Sequence, residues 1–192
     1  MQQDFSVLFT SPVSNLYLAT LSSINDAQEG HLRKITKSAK GRLKLEDGPP
    51  TKADGLYWLY TSYKDEDLRA SQPSPKRKAV PVNRIASERE GLDMVCNRRV
   101  GEFRLVYNGI GGLGIKGYGG LRERILEEFR GGDGTGSLAI CDTSLNDLER
   151  WRYSFILWPE ITHAEKIEYL AQAVRVETLW RLHFGWPILC IR

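Results

Sequence analysis

The sequence is poor in cysteine and in long apolar runs, and both shortages exclude whole classes of protein. Its three cysteines, Cys96, Cys141 and Cys190, lie far apart and form no CxxC pair. Such spacing provides neither a disulfide framework nor a cysteine zinc site, so we expect a reducing, cytoplasmic setting. No run approaches the roughly 18 apolar residues of a membrane span, and the first residues lack the basic start of a signal peptide. We therefore expect no association with a membrane.

Several familiar catalytic signatures are missing as well. The three histidines lack the spacing of an HExxH metal site, and the glycine-rich stretch 109–120 lacks the GxxxxGK[ST] pattern of a P-loop. A GxGxxG match lies in that stretch, but a dinucleotide site also needs a short turn straight into a helix and an acidic residue closing the next strand. The net charge of +3 is mild, so the distribution of charge says more about a partner than its sum does.

What is present is a mixture of strand and helix patterns, which predicts an α/β (α+β) fold. Apolar, aromatic-rich runs predict three strands, at 55–62, 103–109 and 152–160, and these would form a small three-stranded central sheet flanked by helices. An apolar stripe predicts a helix over 121–129. Strict alternation places Leu56, Trp58 and Tyr60 on one face of the first strand, and Tyr57, Leu59 and Thr61 on the other. By the same rule Phe103, Leu105 and Tyr107 share one face of the second strand.

The last part of the chain is predicted to be a long helix followed by a packed tail. Thr162 and Glu165 form a capping box, and the helix would run from there toward His183. The apolar tail 185–192 is expected to pack back on the domain. The helix has six core-facing candidates, Ile167, Leu170, Ala171, Val174, Leu179 and Leu182.

Residues 1–50 are predicted to form an N-terminal helical extension, and residues 51–192 the main domain. The second half of the extension is basic, with Arg33, Lys34, Lys37, Lys40, Arg42 and Lys44. Such a run is typical of a solvated helix face and equally of a helix that contacts phosphates, and both interpretations stay open.

A long insertion, at about 64–101, separates the first two predicted strands. Its prolines oppose a regular helix or a central strand over 71–84. Lys76, Arg77 and Lys78 form a basic cluster there. The cluster indicates either a solvated loop or a loop that contacts a polyanion, and we favour the polyanion because of what flanks the insertion.

Two short motifs carry a resemblance to the GIY-YIG nuclease superfamily. Gly55-Leu56-Tyr57 is similar to the Gly-Ile-Tyr strand of that family, and Tyr107-Asn108-Gly109 is similar to its Tyr-Ile-Gly strand. The family then has a helix with an arginine five residues before an aromatic residue, which matches Arg124 and Phe129. A later helix carries a glutamate, which matches Glu177. The resemblance covers roughly residues 54–185 in the same order.

The resemblance implies hydrolysis of a phosphodiester bond in double-stranded DNA with one divalent ion, Mg²⁺ or Mn²⁺. Glu177 would be the metal ligand, because a carboxylate is a hard oxygen donor. Arg124 would stabilise charge on the phosphate. Tyr57 or Tyr107 would be the general base, and the sequence leaves open which of them it is. Five further residues would bind DNA, namely Lys76, Arg77, Lys78, Lys116 and Arg122.

This sequence also departs from the family pattern. The family often has a histidine or another polar residue four positions after the arginine, where this chain has Glu128. An ionised acid cannot donate to phosphate, so we expect Glu128 to pair with Arg124 or Arg130. Lys116 could supply the missing positive charge. The family's late asparagine has no evident match.

The sequence supports one main functional hypothesis and three alternatives. The main hypothesis is a sequence-specific type II restriction endonuclease, acting as a monomer or as a homodimer on DNA. A homing or repair nuclease of the same superfamily is the nearest alternative. A non-catalytic nucleic-acid-binding module would keep the fold without the chemistry, and an unrelated α/β protein would bind a nucleotide at the glycine loop.

Overall fold

The computed structural model describes residues 12–112, 120–132, 136–158 and 169–191, with the backbone alone for 12–20 and 169–171. Within these ranges the chain forms a mixed α+β fold around one open antiparallel sheet, whose strands lie in the order β2-β1-β6-β3-β5-β4. The strands are β1 (Arg33–Lys37), β2 (Leu43–Leu45), β3 (Gly55–Thr61), β4 (Arg99–Val100), β5 (Phe103–Gly111) and β6 (Trp151–Leu157).

The described helices cover both faces of this sheet. They are α1 (Pro12–Glu29), α2 (Asp65–Arg69), α3 (Val82–Glu88), α4 (Gly120–Arg130) and α5 (Tyr169–Phe184), with short 3₁₀ turns at Ile140–Asp142 and Leu148–Arg150. The predicted helices at 121–129 and toward His183 are thereby confirmed. No helix within the described ranges is long and apolar enough to cross a membrane.

The predicted three-stranded sheet is confirmed at its centre but is too small as a whole. The three predicted strands are β6, β3 and β5, side by side, and β1 with β2 extends the sheet at the β6 edge. The prediction that 1–50 is a helical extension is therefore wrong for its second half. Ile35 and Leu45 pair directly across the β1–β2 hairpin, and both are buried while their neighbours are not. The basic run therefore lies on two paired strands and the turn between them, and not on a helix.

The insertion is more regular than its prolines indicate. Helix α3 begins at Val82, directly after Pro81. A proline is compatible with a position at the start of a helix because it removes no hydrogen bond that the helix needs there. The expectation that 71–84 contains no regular helix is therefore wrong from Val82 onward.

The two faces of β3 bury two separate groups of side chains, as alternation predicts. Tyr57 and Leu59 pack in a core that includes Phe129 of α4. Leu56, Trp58 and Tyr60 pack in a second core, to which α1 contributes Leu21 and Ile24 and α5 contributes Trp180. The sheet is thus sandwiched between helices on both sides.

Strand β5 does not keep the alternation that its sequence predicts. Tyr60 pairs with Leu105, but the next pair is Leu59 with Tyr107, so Val106 is an extra residue in β5. This β-bulge reverses the side on which the following residues point. Tyr107 therefore shares a core with Tyr57, and Leu105 lies in the opposite core. The prediction that Phe103, Leu105 and Tyr107 share one face is wrong for Tyr107.

The C-terminal helix and tail agree with the sequence only in part. Val174 and Leu182 are 48% and 68% exposed, so neither is a core residue, and the buried positions of α5 include Ala173 and Trp180. The tail packs on the sheet as expected, since the Leu189 amide donates to the Val106 carbonyl at 2.9 Å. The capping box and three helix candidates, namely Ile167, Leu170 and Ala171, lie outside the described side chains.

Candidate active site

A cleft of about 500 Å³ lies beside β5, where helix α4, helix α5 and the C-terminal tail meet. It contains the four residues for which the sequence predicts a catalytic role, Tyr57, Tyr107, Arg124 and Glu177. Their roles stay predictions, but residues spread over some 120 positions of the chain do converge on one cavity. Eight other residues line it, namely Val80, Asn108, Gly109, Ile110, Gly136, Arg181, Cys190 and Ile191.

The two tyrosines are placed side by side by the pairing of β3 with β5. Their ring centroids are 6.1 Å apart. Tyr57 lies opposite Gly109 in the sheet, and a Cβ atom at Gly109 would be 2.5 Å from the Tyr57 hydroxyl oxygen. Glycine is therefore the residue that leaves room for the Tyr57 ring, which gives a physical reason for the last position of the Tyr-Asn-Gly motif.

A pair of glycines determines how closely α4 approaches the sheet. Gly55 pairs with Gly111 at the ends of β3 and β5. A Cβ atom on Gly111 would be 2.5 Å from the Cα atom of Leu121, in the first turn of α4. Because α4 can pack this tightly, Arg124 in its next turn comes within reach of Tyr57.

Glu128 lies behind Tyr57 and Arg124, outside the set of residues that line the cleft. Its side chain is fully buried. Its Oε1 atom accepts the Tyr57 hydroxyl at 2.8 Å and lies 2.9 Å from Arg124 Nη2, while its Oε2 atom accepts the Leu138 amide at 2.9 Å. The expectation that Glu128 pairs with Arg124 is confirmed. The sequence did not indicate the bond to Tyr57, because the two residues are far apart in the chain.

Both tyrosines are neutral phenols in this environment. Burial raises the pKa of Tyr57 well above its usual value, and the negative charge of Glu128 raises it further. Burial also raises the pKa of Tyr107, again with a contribution from Glu128. Arg124 opposes both shifts, but it does not outweigh them. Neither tyrosine is therefore present as a phenolate that could act directly as a base.

Glu177 is held at the cleft by Arg181, an arginine that no sequence motif singled out. Arg181 Nη2 lies 2.8 Å from Glu177 Oε1, and Arg181 Nε donates to Asn108 Oδ1 at 2.8 Å. Arg181 Nη2 also donates to the Asn108 carbonyl at 3.2 Å. The spacing of four residues between Glu177 and Arg181 was the available signal, since such residues are neighbours on a helix.

The cysteine of the cleft does not provide a nucleophile. Burial raises the pKa of the Cys190 thiol to about 12, so the group stays protonated near neutral pH. Its Sγ atom accepts the Asn108 amide at 3.3 Å. Cys190 therefore contributes to the position of Asn108, and through it to that of Arg181.

The donor set at Glu177 fits a single hydrated ion better than a metal cage. Burial raises the pKa of Glu177, while Arg181 and Arg124 lower it. In the described part of the chain no three acids, histidines or cysteines group together as a metal centre. Mg²⁺ keeps several waters and binds proteins through one or two carboxylates together with substrate phosphate. Glu177, with Oε1 paired to Arg181, fits that mode through its second oxygen.

The five residues predicted to bind DNA have different surroundings. Lys76 pairs with Asp142 at 2.8 Å and donates to the Arg130 carbonyl at the end of α4, so it is already engaged. Arg77 and Lys78 are exposed. Arg122 donates to the Pro49 carbonyl at 3.3 Å and does not line the cleft. The remaining candidate, Lys116, lies outside the described residues.

Comparison of the chain with protein-family models, with curated proteins and with solved structures finds no match. The resemblance to GIY-YIG nucleases therefore rests on the residues of this chain and on their arrangement.

Proposed function

We propose that the protein is a metal-dependent endonuclease that hydrolyses phosphodiester bonds in double-stranded DNA, with an active site similar to that of the GIY-YIG superfamily. One observation carries the proposal. Two phenols, one arginine and one carboxylate, predicted from separate motifs, line a single cleft. Hydrolysis at one scissile phosphate would use all four side chains, directly or through the metal ion and the attacking water, which gives a reason for their convergence.

Each of the four side chains has a distinct task in this proposal. Glu177 would bind the divalent ion, which when present supplies positive charge to the phosphate and to the leaving oxygen. Arg124 would donate to the non-bridging phosphate oxygens as their charge grows in the transition state. Tyr57 and Tyr107 would orient the attacking water and take part in removing its proton.

The cations near the cleft support DNA as the substrate. The loop that carries Arg77 and Lys78 leads to Val80, which lines the cleft, and the Val80 amide donates to the Ser137 carbonyl at 2.8 Å. On the β1–β2 hairpin Lys37 lies near Cys141: burial raises the pKa of the Cys141 thiol, and the positive charges of Lys37 and Lys76 oppose that shift. Hairpin and loop thus offer positive charge on the same side of the domain, which suits a polyanion.

A sequence-specific restriction enzyme is the finer form of the proposal. The hairpin and the insertion add exposed cations, among them Lys37, Arg77 and Lys78, to the central strands and helices of the domain. Such additions would contact bases and phosphates next to the scissile bond. A homing or repair nuclease of the same superfamily uses the same chemistry and is the alternative within this class.

A non-catalytic DNA-binding module is the second candidate, and one observation favours it. The outer nitrogens of Arg124 are both engaged by acids, Nη1 with Glu127 at 3.2 Å and Nη2 with Glu128 at 2.9 Å. A phosphate has to compete with these carboxylates for the guanidinium. If it does not succeed, the domain would bind DNA through its cations without cutting it.

A plasmid assay separates these candidates. Supercoiled DNA is incubated with the protein in Mg²⁺, Mn²⁺, Ca²⁺ or EDTA, and the topology is read on a gel, with Glu177→Gln as the control variant. Cutting in Mg²⁺ or Mn²⁺ alone, lost in the variant, supports the endonuclease. Retardation of DNA without cutting in any metal supports the binding module. Sequencing of the ends then gives the site and the cut position.

A further inference from the structure

Glu128 is a buried acid that has no role in the chemistry proposed for the four predicted catalytic residues. It does not line the cleft, so substrate does not touch it. Three donors converge on its two oxygens: the Tyr57 hydroxyl, the Arg124 guanidinium and the Leu138 amide. A fully buried carboxylate needs such donors to remain charged. The site therefore keeps a negative charge next to Tyr57, a phenol that lines the cleft.

The hydrogen bond between Tyr57 and Glu128 has a defined direction. An ionised carboxylate has no proton to give, so the Tyr57 hydroxyl is the donor. With its own proton directed at Glu128, the phenolic oxygen keeps its lone pairs for a second partner in the cleft. That oxygen can then accept a proton from one side as it releases one on the other.

Holding Arg124 in place does not by itself account for Glu128. Glu127 also pairs with Arg124, at 3.2 Å, and its side chain is 14% exposed. A surface-side acid on the same helix thus already anchors the guanidinium. Glu128 differs from Glu127 in being fully buried and in its bond to Tyr57.

We propose that Glu128 is the proton acceptor behind Tyr57, so that the two residues act as a relay. The proposal rests on the proposed function. The water oxygen bonds to phosphorus as the bond from phosphorus to the leaving oxygen breaks. The water proton passes to the Tyr57 oxygen, and the proton of Tyr57 passes to Glu128 Oε1. The leaving oxygen takes a proton from solvent, and Glu128 returns its own by the reverse relay after product release, so the enzyme is unchanged.

The charges around Glu128 are compatible with this exchange. Burial raises its pKa, which makes the carboxylate a stronger base. Arg124, the Leu138 amide and Tyr57 oppose that shift, and Glu127 adds to it. Tyr107 is another ionisable neighbour of Glu128, and burial raises its pKa, so it is neutral. Tyr57 is kept neutral by burial, so a relay through the phenol is favoured over a free phenolate.

The test compares two carboxamide variants of adjacent residues. Glu128→Gln removes the acceptor, and Glu127→Gln removes the other acid of Arg124 but leaves the Tyr57 bond intact. We expect Glu128→Gln to lower the single-turnover cleavage rate at least about 100-fold, the lower bound for a general base, and Glu127→Gln to lower it less than about 5-fold. DNA binding in Ca²⁺ should be equal in both variants.

The pH profile distinguishes a relay from a packing effect. In the wild type the cleavage rate should rise with pH as Glu128 loses its proton, and Glu128→Gln should lack this limb. Glu128→Asp retains a carboxylate and should recover the limb at a lower rate. If Glu128→Gln does not fold, a proton inventory on the wild type replaces it: a bowed dependence of rate on D₂O fraction indicates two protons in motion, and a straight line overturns the relay.

The outcomes separate this proposal from the proposed function. If the wild type does not cut DNA in any metal, the endonuclease fails and the relay fails with it. If the wild type cuts and Glu128→Gln cuts as fast as Glu127→Gln, the endonuclease stands and the relay alone is overturned. An unchanged pH profile in a folded Glu128→Gln protein also overturns the relay.

Discussion

Two arginine–glutamate pairs, each separated by one helical turn, serve the same cleft in opposite ways. On α4 the pair is Arg124 with Glu128, and on α5 it is Glu177 with Arg181. In the first pair the arginine is 24% exposed and the glutamate is fully buried. In the second the glutamate is 13% exposed and the arginine 9%. The first pair offers a cation to the cleft, and the second offers a carboxylate.

The difference comes from what lies behind each pair. Glu128 accepts hydrogen bonds from Tyr57 and from the Leu138 amide. Its negative charge is therefore compensated by protein groups, and Arg124 is the member of the pair that reaches the cleft. Arg181 is fixed from behind by two atoms of Asn108, so Glu177 is the member left for an outside ligand. In the proposed site the same local pair would thus provide a phosphate contact or a metal ligand, according to which member is held by the residues behind it.

Removing the arginine of the first pair should have the largest effect. Arg124→Ala leaves Glu128 buried without its cation, and breaking a buried pair in this way costs about 3 kcal/mol. We therefore expect lost cleavage together with a lower urea midpoint. Arg122→Ala is the matched control, because Arg122 lies on the same helix and donates to the Pro49 carbonyl instead of a buried acid. Equal urea midpoints for the two variants would contradict the pairing of Arg124 with Glu128.

Removing the acid of the second pair should affect metal binding more than folding. Glu177→Gln still accepts from Arg181, so the wall is preserved. An ion that binds only the folded state at ten times its dissociation constant adds about 1.4 kcal/mol of stability. We expect Mg²⁺ to raise the Tm of the wild type and of Glu128→Gln, but not that of Glu177→Gln. The shift is read by thermal unfolding without DNA, and a Mg²⁺ shift retained in Glu177→Gln would remove that residue as the ligand.

A smaller effect is expected in the pH dependence of the free energy of unfolding, and it comes from Glu128 of the first pair. Burial raises the pKa of Glu128 above its ordinary value of 4.5. The folded protein then keeps a proton that the unfolded chain has lost, so this contribution is present below about pH 4.5 and is lost as pH rises through the folded pKa. The free energy lost is about 1.4 kcal/mol for each pH unit between the unfolded and the folded pKa. Urea titrations should show a steeper decline with pH in the wild type than in Glu128→Gln, and parallel curves would contradict it.

The sequence is informative wherever a pattern is local. Alternation in β3 and the stripe of α4 depend on neighbouring residues, so both could be read directly. The convergence of Tyr57, Tyr107, Arg124 and Glu177 followed from the order of motifs along the chain. The hairpin of β1 and β2 was missed because its cations suit a helix as well as a strand, and pairing with β6 decides the matter.

Two features of the cleft are non-local and could not be predicted. The bulge at Val106 depends on the register of β5 against β3, which no residue in β5 specifies alone. Arg181 becomes part of the cleft through Asn108, whose position depends on Cys190 in the tail. Both place side chains by contacts between segments that are distant in sequence, which periodicity does not register.

The smallest effects are expected on the insertion loop, where one cation is paired with an acid and two others are exposed. Lys76 is engaged by Asp142 and by the end of α4, whereas no acid pairs with Arg77 or Lys78 in the ranges that the structure covers. Each cation that contacts a phosphate contributes about 0.9 to the slope of log affinity against log salt concentration.

The double variant Arg77→Ala/Lys78→Ala should therefore bind DNA more weakly, with a slope lower by nearly two. Lys76→Ala should leave the slope almost unchanged, because its charge is already neutralised, and should lower thermal stability instead. Affinities measured by fluorescence anisotropy in Ca²⁺ at several salt concentrations give both slopes. If Lys76→Ala shifts the slope as much as Arg77→Ala or Lys78→Ala does singly, pairing with an acid does not remove a cation of this loop from DNA binding.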